Sequence, residues 1–476
     1  MTNRKFPARN VKERIYLQAD LVFESAVRFG DPGSGVIHED EILRDSETGR
    51  PMIAGSSIAG AMRAYLRDVE LGYWQSENPA VPCRAQKLFG YVSEEDENPT
   101  SVMSWLIVDN ALCKENTAIR TRDGVAIDSK TRAGVEKQKF NHDMLPVGTC
   151  FQVAFEAQIP DGKEGEVALE SFALALLGFQ NGEIPLGFRK QRGSGACRMQ
   201  NWRVKKLDMY TFQDVAVWIQ GDEGDWKEAV EGQGIADLLL GGNQTSLQDA
   251  RRSLHLQIYL DIQDSFLIRS SGTKPQDPDA VPLADDQGRP ILSGWSLAGA
   301  LRHRAIKILN TLNISGTEDM VDNMFGPHQE GDIKKVQRGS RLVTKETYIK
   351  NPIGIVQPRI QIDRFTGSAM RQHLFIEQPL TGGEVLVDLT LKNPQDAEVG
   401  LLLLLLKDLW LGDLPLGGEA SIGRGQLRGK LASLDYDGHH WKICSEDGKL
   451  NIQGAEKMQE MVDALCAPKE VNDGRK

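Results

Sequence analysis

The sequence predicts an α+β fold in which one ferredoxin-like module occurs twice. A fifteen-residue stretch, GRPMIAGSSIAGAMR from Gly49, recurs as GRPILSGWSLAGALR from Gly288, with nine identical positions and no gap. Around the first copy the apolar patterns follow the order strand, helix, strand, strand, helix, strand, which is the order of a ferredoxin-like domain. The repeat distance of 239 residues is far longer than the period of a solenoid, so two such domains are expected.

The first module is expected to cover residues 1–207. Residues 15–23 alternate loosely between apolar and polar side chains, as in a strand. The Gly-Arg-Pro turn then leads into a helix that continues to about Leu71, and Ser57 suits its N-cap because a serine hydroxyl accepts a free backbone N–H. The remaining expected elements are a loop at 74–100, strands at 105–112, 150–159 and 202–207, and a helix at 167–179.

The segment at about 114–148 is polar, mixed in charge and without periodicity. A stretch of that length inside a compact domain is usually functional, so it is interpreted as an insertion into the module. Residues 208–250 are acidic and have no counterpart within the repeats. They are expected to form a linker, with a helix at 226–240.

The second module, residues 251–432, repeats the pattern. Its first helix is expected to begin at Ser296, the counterpart of Ser57, and to continue to about Leu312. Its insertion is expected at about 330–383. The remaining expected elements are strands at 254–262 and 384–391, an apolar helix at 399–411, and a tail at 433–476 with a short helix at 453–465 and a polar, disordered end.

Two further motifs recur in the same order in both modules. The first is Ile-Asp-x-x-Thr, at 127–131 and 362–366, with a shift of 235 residues. The second is Pro-Leu-Gly followed by Gly-x-Gly, at 185–195 and 415–425, with a shift of 230 residues. The slow drift of the shift is what differences in loop length would produce between two copies of one domain.

The composition excludes several classes of protein. The chain has 476 residues, a net charge of −11 and 40% hydrophobic residues, which argues against indiscriminate nucleic-acid binding but not against a local basic surface. Its six cysteines include no C-x-x-C pair, so neither a zinc knuckle nor a disulfide framework is indicated, and a cytoplasmic location is expected. No signal sequence is expected in the polar, basic first residues, and the longest apolar run, 401–406, is too short to span a membrane.

Two features of each module suit the binding of phosphate. A thin helix start beside an arginine presents free N–H groups to an anion. The Gly-x-Gly loop can do the same, and in the first module it carries Arg189, Lys190 and Arg192. The alternative for both features is structural, namely a helix packed tightly on a sheet and a solvated charged loop.

An acidic residue follows the first strand of each module. The shift of 239 residues, carried upstream from the Gly-Arg-Pro turn, places Asp279 on Asp40. A carboxylate at this place could act on a nearby hydroxyl group or hold a metal ion; the alternative is an Asx-turn. The eight histidines show no metal-ligand spacing, and the few aromatic residues form no stacking platform.

Taken in order, these motifs resemble the RAMP superfamily of CRISPR systems. The motifs are the acidic loop, G-x-S-[IL]-x-G-x-x-R on the first helix, Ile-Asp-x-x-Thr in the insertion, and the final Gly-rich loop. Residues 10–207 and 251–430 each resemble the backbone subunit of a type III effector complex, and their tandem arrangement resembles the double subunit of a type III-D complex. The resemblance implies an RNA-recognition-motif-like palm in each module and a thumb formed by its insertion.

The resemblance also implies a set of partners. Such subunits stack along a guide CRISPR RNA with other RAMP subunits and the large subunit, and their thumbs displace base pairs of the duplex between guide and target RNA. The guide-binding residues implied are Gly55, Ser56, Ser57, Arg63, Gly187, Arg189, Lys190, Arg192, Gly193, Gly195, Gly294, Ser296, Arg302, Gly417, Gly423, Arg424 and Gly425. The thumb residues implied are Ile127, Asp128, Thr131, Arg132, Ile362, Asp363 and Thr366.

The activity implied by the resemblance is metal-dependent cleavage of the target RNA, once per module. By position the catalytic residues are Asp40 and Asp279, and Glu39 or Asp31 could substitute for Asp40. The implied reaction is a transesterification in which a 2′-hydroxyl attacks its own phosphate. The expected cofactor is a divalent cation, Mg²⁺ or Mn²⁺, whose ligands stay open.

Three other functions remain open at this stage. A purely structural subunit would hold the guide RNA without cutting the target. A guide-processing endoribonuclease would need a catalytic histidine on the first helix. The second module has His303 there, but the equivalent position in the first module is Ala64. A small-molecule enzyme on a duplicated ferredoxin-like fold would need a pocket with convergent polar groups.

Overall fold

The described part of the chain is built mainly on two antiparallel sheets. The computed structural model describes residues 10–30, 42–93, 100–128, 134–221, 225–230, 233–241, 247–272, 276–327, 339–446, 449–452 and 454–467. The strands are β1 Val11–Phe23, β2 Met52–Ile53, β3 Tyr91–Ser93, β4 Thr100–Val102, β5 Leu106–Val108, β6 Ala111–Cys113, β7 Arg120–Ile127, β8 Gly134–Met144, β9 Cys150–Pro160, β10 Cys197–Asp208, β11 Lys227–Glu228, β12 Ser253–Ile262, β13 Arg269–Ser270, β14 Val281–Pro282, β15 Ile291–Leu292, β16 Leu342–Thr344, β17 Thr347–Tyr348, β18 Ile353–Gly354, β19 Gln357–Ile362, β20 Ala369–Glu377, β21 Leu380–Thr381, β22 Glu384–Lys392, β23 Leu427–Tyr436, β24 His439–Glu446 and β25 Lys449–Ile452. The helices are α1 Gly55–Leu71, α2 Arg84–Phe89, α3 Gly162–Gln180, α4 Phe212–Gln220, α5 Ile235–Leu240, α6 Gly294–Thr311, α7 Thr317–Phe325, α8 Asp396–Leu411 and α9 Ala455–Cys466.

The chain divides into two compact units. The first consists of Met1–Arg120, Asp143–Phe188 and Gly195–Arg251. The second consists of Thr121–His142, Arg189–Ser194 and Arg252–Lys476. The second unit therefore includes two short segments from the first half of the sequence. The predicted boundaries at 207, 251 and 432 stay predictions, because they describe the sequence repeat rather than the packing.

The sheet of the first unit has the strand order β11-β10-β1-β9-β6-β2, and β5 also pairs with β9. The central strand β1 runs antiparallel to both of its neighbours. Its alternate residues Ile15, Leu17 and Leu21 are fully buried, which places them in the core that also contains Ile58 and Met62 of α1. The four strands β10-β1-β9-β5 give the order expected for a ferredoxin-like domain.

The sheet of the second unit has the order β16-β22-β12-β23-β24-β25. Its first four strands repeat the order of the first sheet, and β12 is again central and antiparallel to both neighbours. The strands β24 and β25 extend the sheet with residues that the sequence assigned to a tail. The α+β class and the duplication of the domain are thus confirmed.

The apolar run at 401–406 has a structural explanation in α8. Leu401, Leu402 and Leu405 are buried in the core of the second unit. On another side α8 packs against α9, because a Cβ atom added at Gly400 would lie 2.3 Å from the carbonyl oxygen of Met461. Contacts on more than one side require a helix that is apolar on most of its surface. None of the helices in the described part of the chain is long and apolar enough to cross a membrane.

Both predicted serine caps are wrong. The N-cap residues of α1 and α6 are Ala54 and Ser293, and Ser293 accepts a hydrogen bond from a backbone N–H of the first turn. Ser57 and Ser296 lie inside the first turn instead, where both are exposed. The helices begin earlier because their first glycines must lie directly against neighbouring backbone, as described below.

Several predicted loops contain regular structure. Residues 74–100 include α2 and β3, and the predicted strand at 105–112 is divided into β5 and β6. The segment at 114–148 contains the strands β7 and β8, which pair with each other. The predicted helix at 226–240 is replaced by β11 and the short helix α5. The helix predicted at 453–465 is confirmed as α9, and the polar end at 468–476 lies outside the described residues.

Candidate functional site

The first glycine of each repeated motif packs the helix start against neighbouring backbone. A Cβ atom at Gly55 would lie 2.2 Å from the carbonyl oxygen of Val108, and one at Gly294 would lie 2.7 Å from that of Thr344. Both distances are far below normal contact, so no other residue fits without a shift of the backbone. The N–H of Gly55 also donates to Oδ1 of Asn110 at 2.9 Å. These glycines have a structural role.

The next small residues of the motif face outward. Ser56, Ser57 and Gly60 are exposed on α1, as are Ser296 and Gly299 on α6. A Cβ atom added at either Gly60 or Gly299 would have no described neighbour within 4 Å. Internal packing therefore does not explain these glycines, although a helix-interior glycine costs stability. The outward face of both helix starts is thin enough for close approach by a ligand backbone.

The motif arginines are held in ion pairs. Arg63 donates through Nε to Oε1 of Glu77 at 3.0 Å, and this hydrogen bond holds the pKa of Glu77 below its ordinary value. Arg302 pairs with Asp322 and donates to the carbonyl of Gly326. Each arginine thus fixes the segment that follows its helix. A phosphate contact by Arg63 or Arg302 would have to share the guanidinium with these acceptors.

The Gly-rich loops require glycine for two reasons. Gly187 and Gly417 have φ angles of 88° and 89°, in the left-handed region. A Cβ atom at Gly195 would lie 1.7 Å from the carbonyl oxygen of Leu186, and one at Gly425 would meet the equivalent oxygen at 2.1 Å. The loop therefore closes on itself in the same way in both repeats.

The cations of the first Gly-rich loop have different surroundings. Arg189 lies over the ring of Trp295, 4.3 Å from its centroid. Lys190 and Arg192 are exposed and pair with no acid among the residues that the structure describes. Neighbouring protein atoms and the positive charge of Arg302 lower the pKa of Arg192, although its side chain keeps exposed surface. This loop therefore presents cations that a phosphate could neutralise.

The second Gly-rich loop differs. Arg424 is 2% exposed and pairs with Glu377 at 2.9 Å and with Glu419. Its charge is used inside the protein, so we do not retain Arg424 as a phosphate contact. Gly193 packs against the backbone at Glu346, whereas a Cβ atom at the equivalent Gly423 would have no described neighbour within 4 Å.

Asp279 is exposed next to the hairpin formed by β19 and β20. Its Oδ2 accepts the N–H of Ile376 at 2.8 Å, which anchors the acidic loop to β20. Asp31, Glu39 and Asp40 lie outside the described residues. Among the residues that are described, no group of three or more His, Cys, Asp or Glu side chains could hold a metal ion.

The acidic loops of the two repeats differ in length by one residue. The N–H of Leu43 donates to the carbonyl of Phe29 at 2.9 Å, and the N–H of Leu283 donates to that of Ile268 at 2.8 Å. These two hydrogen bonds are equivalent, but the second encloses one residue more. The ungapped alignment that placed Asp279 on Asp40 therefore does not hold through the whole loop.

The residue equivalent to Asp279 depends on the end from which the loop is counted. Asp279 lies eleven residues after Ile268, as Asp40 does after Phe29. Counted backward, Asp279 lies four residues before Leu283, and the residue four before Leu43 is Glu39. Both Glu39 and Asp40 are therefore candidates for the acid of the first repeat.

The Ile-Asp-x-x-Thr motif of the second repeat forms the end of a hairpin. Asp363 accepts the N–H groups of Phe365 and Thr366, each at 2.8 Å, and these bonds lower its pKa. Ile362 is 60% exposed and Phe365 is 99% exposed. In the first repeat Ile127 is equally exposed on β7. Asp128 follows that strand, and Thr131 and Arg132 lie outside the described residues.

Sequence reasoning missed two features of the second unit. Trp295 contacts Arg122 and Arg189 with its ring and donates through Nε1 to Ser194 at 3.1 Å. The signal was available, because Trp295 occupies the position of Ser56 in the other repeat. The second feature is an ion-pair network whose residues are Arg269, Arg359, Glu377, Glu419 and Arg424.

A comparison with family models agrees with the duplication. The model described as RAMPs, the RAMP superfamily, matches residues 20–198 and 234–428. The two matches cover more than half of the chain, one in each repeat. No curated protein matches the sequence.

Proposed function

The chain belongs to the RAMP superfamily, and we propose that it is the tandem backbone subunit of a type III CRISPR effector complex. Membership indicates an RNA-binding role in CRISPR systems. In the proposed role the chain binds the backbone of a guide RNA, and each repeat cleaves the target RNA paired with that guide. Its proposed partners are other RAMP subunits and the large subunit of the complex.

The observation that carries the RNA-binding part is the outward face of the two helix starts. Ser57 and Gly60 in one repeat, and Ser296 and Gly299 in the other, are exposed without an internal packing reason for the glycines. Backbone recognition needs close approach to the protein surface rather than base-reading side chains. Lys190 and Arg192 of the first Gly-rich loop, which pair with no acid in the described part of the chain, add charge for the same ligand.

Asp279 supports the proposed cleavage in the second repeat. Its carboxylate is exposed and held beside the hairpin that corresponds to the predicted thumb. In the proposed reaction this carboxylate accepts the proton of a 2′-hydroxyl group. The oxygen then forms a bond to the adjacent phosphorus while the bond from phosphorus to the 5′-oxygen breaks. The departing 5′-oxygen takes a proton from water, so the products are a 2′,3′-cyclic phosphate and a 5′-hydroxyl end.

A divalent cation, Mg²⁺ or Mn²⁺, belongs to this proposal. Among the described residues Asp279 offers one exposed carboxylate, which fits the mode in which Mg²⁺ takes one or two carboxylates together with substrate phosphate oxygens. Such an ion would supply charge stabilisation at the phosphate. The protein's own contribution is to hold the carboxylate in place through the N–H of Ile376.

The test is cleavage of an end-labelled, guide-complementary RNA by the assembled complex in the presence of Mg²⁺. Wild type is compared with Asp279→Ala and with a variant in which both Glu39 and Asp40 are alanine. Loss of one distinct cut in each variant is expected. Unchanged cutting when all three acids are replaced, with guide RNA still bound, would contradict catalysis by this chain.

A scaffold that holds guide RNA without cutting is the second candidate. It is favoured by the outward faces of the two helix starts, which would serve guide binding equally well without any cleavage. The same comparison separates the two functions, because a scaffold retains the guide RNA but gives no cut that depends on Asp279.

A further inference from the structure

An ion-pair network centred on the buried side chains of Glu377 and Arg424 lies beside Asp279. Glu377, at the end of β20, is 1% exposed. Its carboxylate pairs with Arg424 at 2.9 Å, with Arg359 at 3.5 Å and with Arg269. Glu419 binds the same three arginines, including Arg269 at 2.8 Å and Arg359 at 3.4 Å.

The network joins three segments of the second unit. Arg269 lies on β13, which precedes the acidic loop, and Arg359 lies on β19 of the hairpin. Glu419 and Arg424 belong to the Gly-rich loop, and Arg424 also donates to Oε1 of Gln357 at 2.7 Å. Buried ion pairs often contribute little net stability, but they fix geometry because each partner is costly to leave alone.

The backbone on both sides of Glu377 holds the acidic loop. The N–H of Ile376 donates to Oδ2 of Asp279, and the N–H of Gln378 donates to the carbonyl of Ala280 at 2.9 Å. A shift of Glu377 would therefore move both donors that hold the segment of Asp279. On the other side of the loop, Arg269 pairs through its backbone with Pro282 on β14.

We propose that Glu377 and Arg269 are positioning residues for Asp279, with the network setting the carboxylate relative to the Gly-rich loop. This inference rests on the proposed cleavage of RNA by Asp279. The network belongs to the second repeat alone, because the positions equivalent to Arg269, Glu377, Glu419 and Arg424 are Gly30, His142, Arg189 and Ser194. Its loss should therefore slow only the cut that depends on Asp279.

The experiment uses the assembled complex with the variants Arg269→Gln and Glu377→Gln. Arg269 is half exposed, so its replacement leaves the buried pair of Glu377 and Arg424 in place and is the milder change. The matched control is Arg289→Gln, since Arg289 has a similar exposure in the same unit but pairs with Asp285. Arg269→Lys keeps the charge and is expected to restore most of the rate.

Two quantities are measured. The first is the rate of each cut in the same reaction, where the cut dependent on Asp279 is expected to slow about tenfold or more and the other cut to stay unchanged, because small misplacements of a reacting group are costly. The second is hydrogen exchange at the amide of Ile376 in the purified chain, which is expected to become faster in both variants. If these residues only stabilised the fold, their replacement would change the rates of the two cuts by the same factor.

Each result decides the inference. Equal slowing of both cuts, or an unchanged cut ratio in Arg269→Gln with guide RNA retained, overturns the positioning role. If Glu377→Gln fails to assemble, Arg269→Gln still gives the ratio. If Asp279→Ala leaves both cuts intact, the proposed function fails, and the positioning role is overturned with it because no cut remains to be positioned.

Discussion

At the scale of single residues, the main question is which acid of the first repeat corresponds to Asp279. Equivalent hydrogen bonds from Leu43 and Leu283 enclose loops that differ by one residue, so the acid that matches Asp279 is either Glu39 or Asp40. A glutamate carboxylate lies one methylene farther from the backbone than an aspartate carboxylate. Asp279 is anchored to β20 together with the next residue, Ala280, in the segment that continues directly to Leu283. This favours counting back from Leu43 in the first repeat, which gives Glu39.

We predict that Glu39→Ala removes the cut of the first repeat and that Asp40→Ala slows it less. The measurement is the rate of each cut in the assembled complex, with the cut that depends on Asp279 as the internal reference. Glu39→Asp should recover part of the rate, since it keeps the carboxylate. If Asp40→Ala slows the cut more than Glu39→Ala, then Asp40 is the residue equivalent to Asp279, and the two loops align when counted forward from Phe29 and Ile268.

At the scale of elements, the starts of α1 and α6 combine two kinds of glycine. Gly55 and Gly294 are buried against neighbouring carbonyl oxygens, whereas Gly60 and Gly299 are exposed and a Cβ atom at either would have no described neighbour within 4 Å. The buried pair is explained by packing within each helix's surroundings. Packing among the described residues does not explain the exposed pair, whereas the proposed RNA backbone would account for a small residue at a helix position that would be more stable with alanine.

We predict opposite effects on stability and binding for the two glycines of α6. Gly294→Ala should destabilise the protein by about 1–3 kcal/mol, because its Cβ atom would overlap the carbonyl oxygens of Arg192 and Thr344. Gly299→Ala should stabilise it by about 0.5–1 kcal/mol. Gly299→Gln should preserve folding and weaken the binding of labelled guide RNA to the full-length chain. Unchanged RNA binding by Gly299→Gln would show that this face does not contact RNA.

The elements also show which parts of the fold a sequence can reveal. The alternation in β1 and β12 can be recognised in the sequence because one face of each strand packs in the core and the other is less buried. The apolar pattern of α8 can be recognised because most of that helix is buried. The hairpin of β19 and β20 exposes apolar residues such as Ile360 and Leu374 on the same face, so no alternation between core and solvent marks its strands. These two strands pair with each other, and the pairing leaves no periodic pattern of apolar residues in the sequence.

The candidate site was predictable to the same limited extent. The motifs located the Gly-rich loops and placed each helix start three residues too late, at Ser57 and Ser296 instead of Ala54 and Ser293. Glycines that avoid steric overlap are visible in a repeat, but the exact cap is not. The partners of the charged residues were not visible, since Arg424 and Glu377 are 47 residues apart and meet only in the folded unit. A cation in a Gly-rich loop looks the same in sequence whether it faces solvent, as Lys190 does, or is buried, as Arg424 is.

At the scale of the whole molecule, the chain carries a net charge of −11, and several of its carboxylates are tied to cations or hydrogen-bond donors. Burial alone would raise the pKa of Glu377, but Arg424 and Arg269 outweigh it and hold that pKa below the ordinary value. Asp388 behaves in the same way, with His255 and Gln257 as the hydrogen-bond partners that lower its pKa. These groups lie in the core network and in the central sheet of the second unit, so their protonation should affect folding.

We predict that the protein loses stability as the pH falls below about 4. A carboxylate whose pKa is lower in the folded than in the unfolded state contributes stability above its ordinary pKa, and this contribution is lost as the pH falls through the folded value. Glu77, Glu377 and Asp388 act in this direction. Glu13 acts in the opposite direction, because burial raises its pKa. The net result should be a melting temperature that changes little between pH 6 and pH 5 and decreases below about pH 4.

Thermal melting of the full-length chain at pH 6, 5, 4 and 3 measures this effect. For units of this size each kcal/mol lost lowers the melting temperature by roughly 2–4 °C. Glu77→Gln removes one contributing carboxylate while keeping its shape, so its melting temperature should be lower at pH 6 and should depend less on pH. Glu13→Gln is the matched control and should steepen the dependence. A melting temperature that stays constant down to pH 3 would mean that these ion pairs hold positions in the fold without contributing measurable free energy to it.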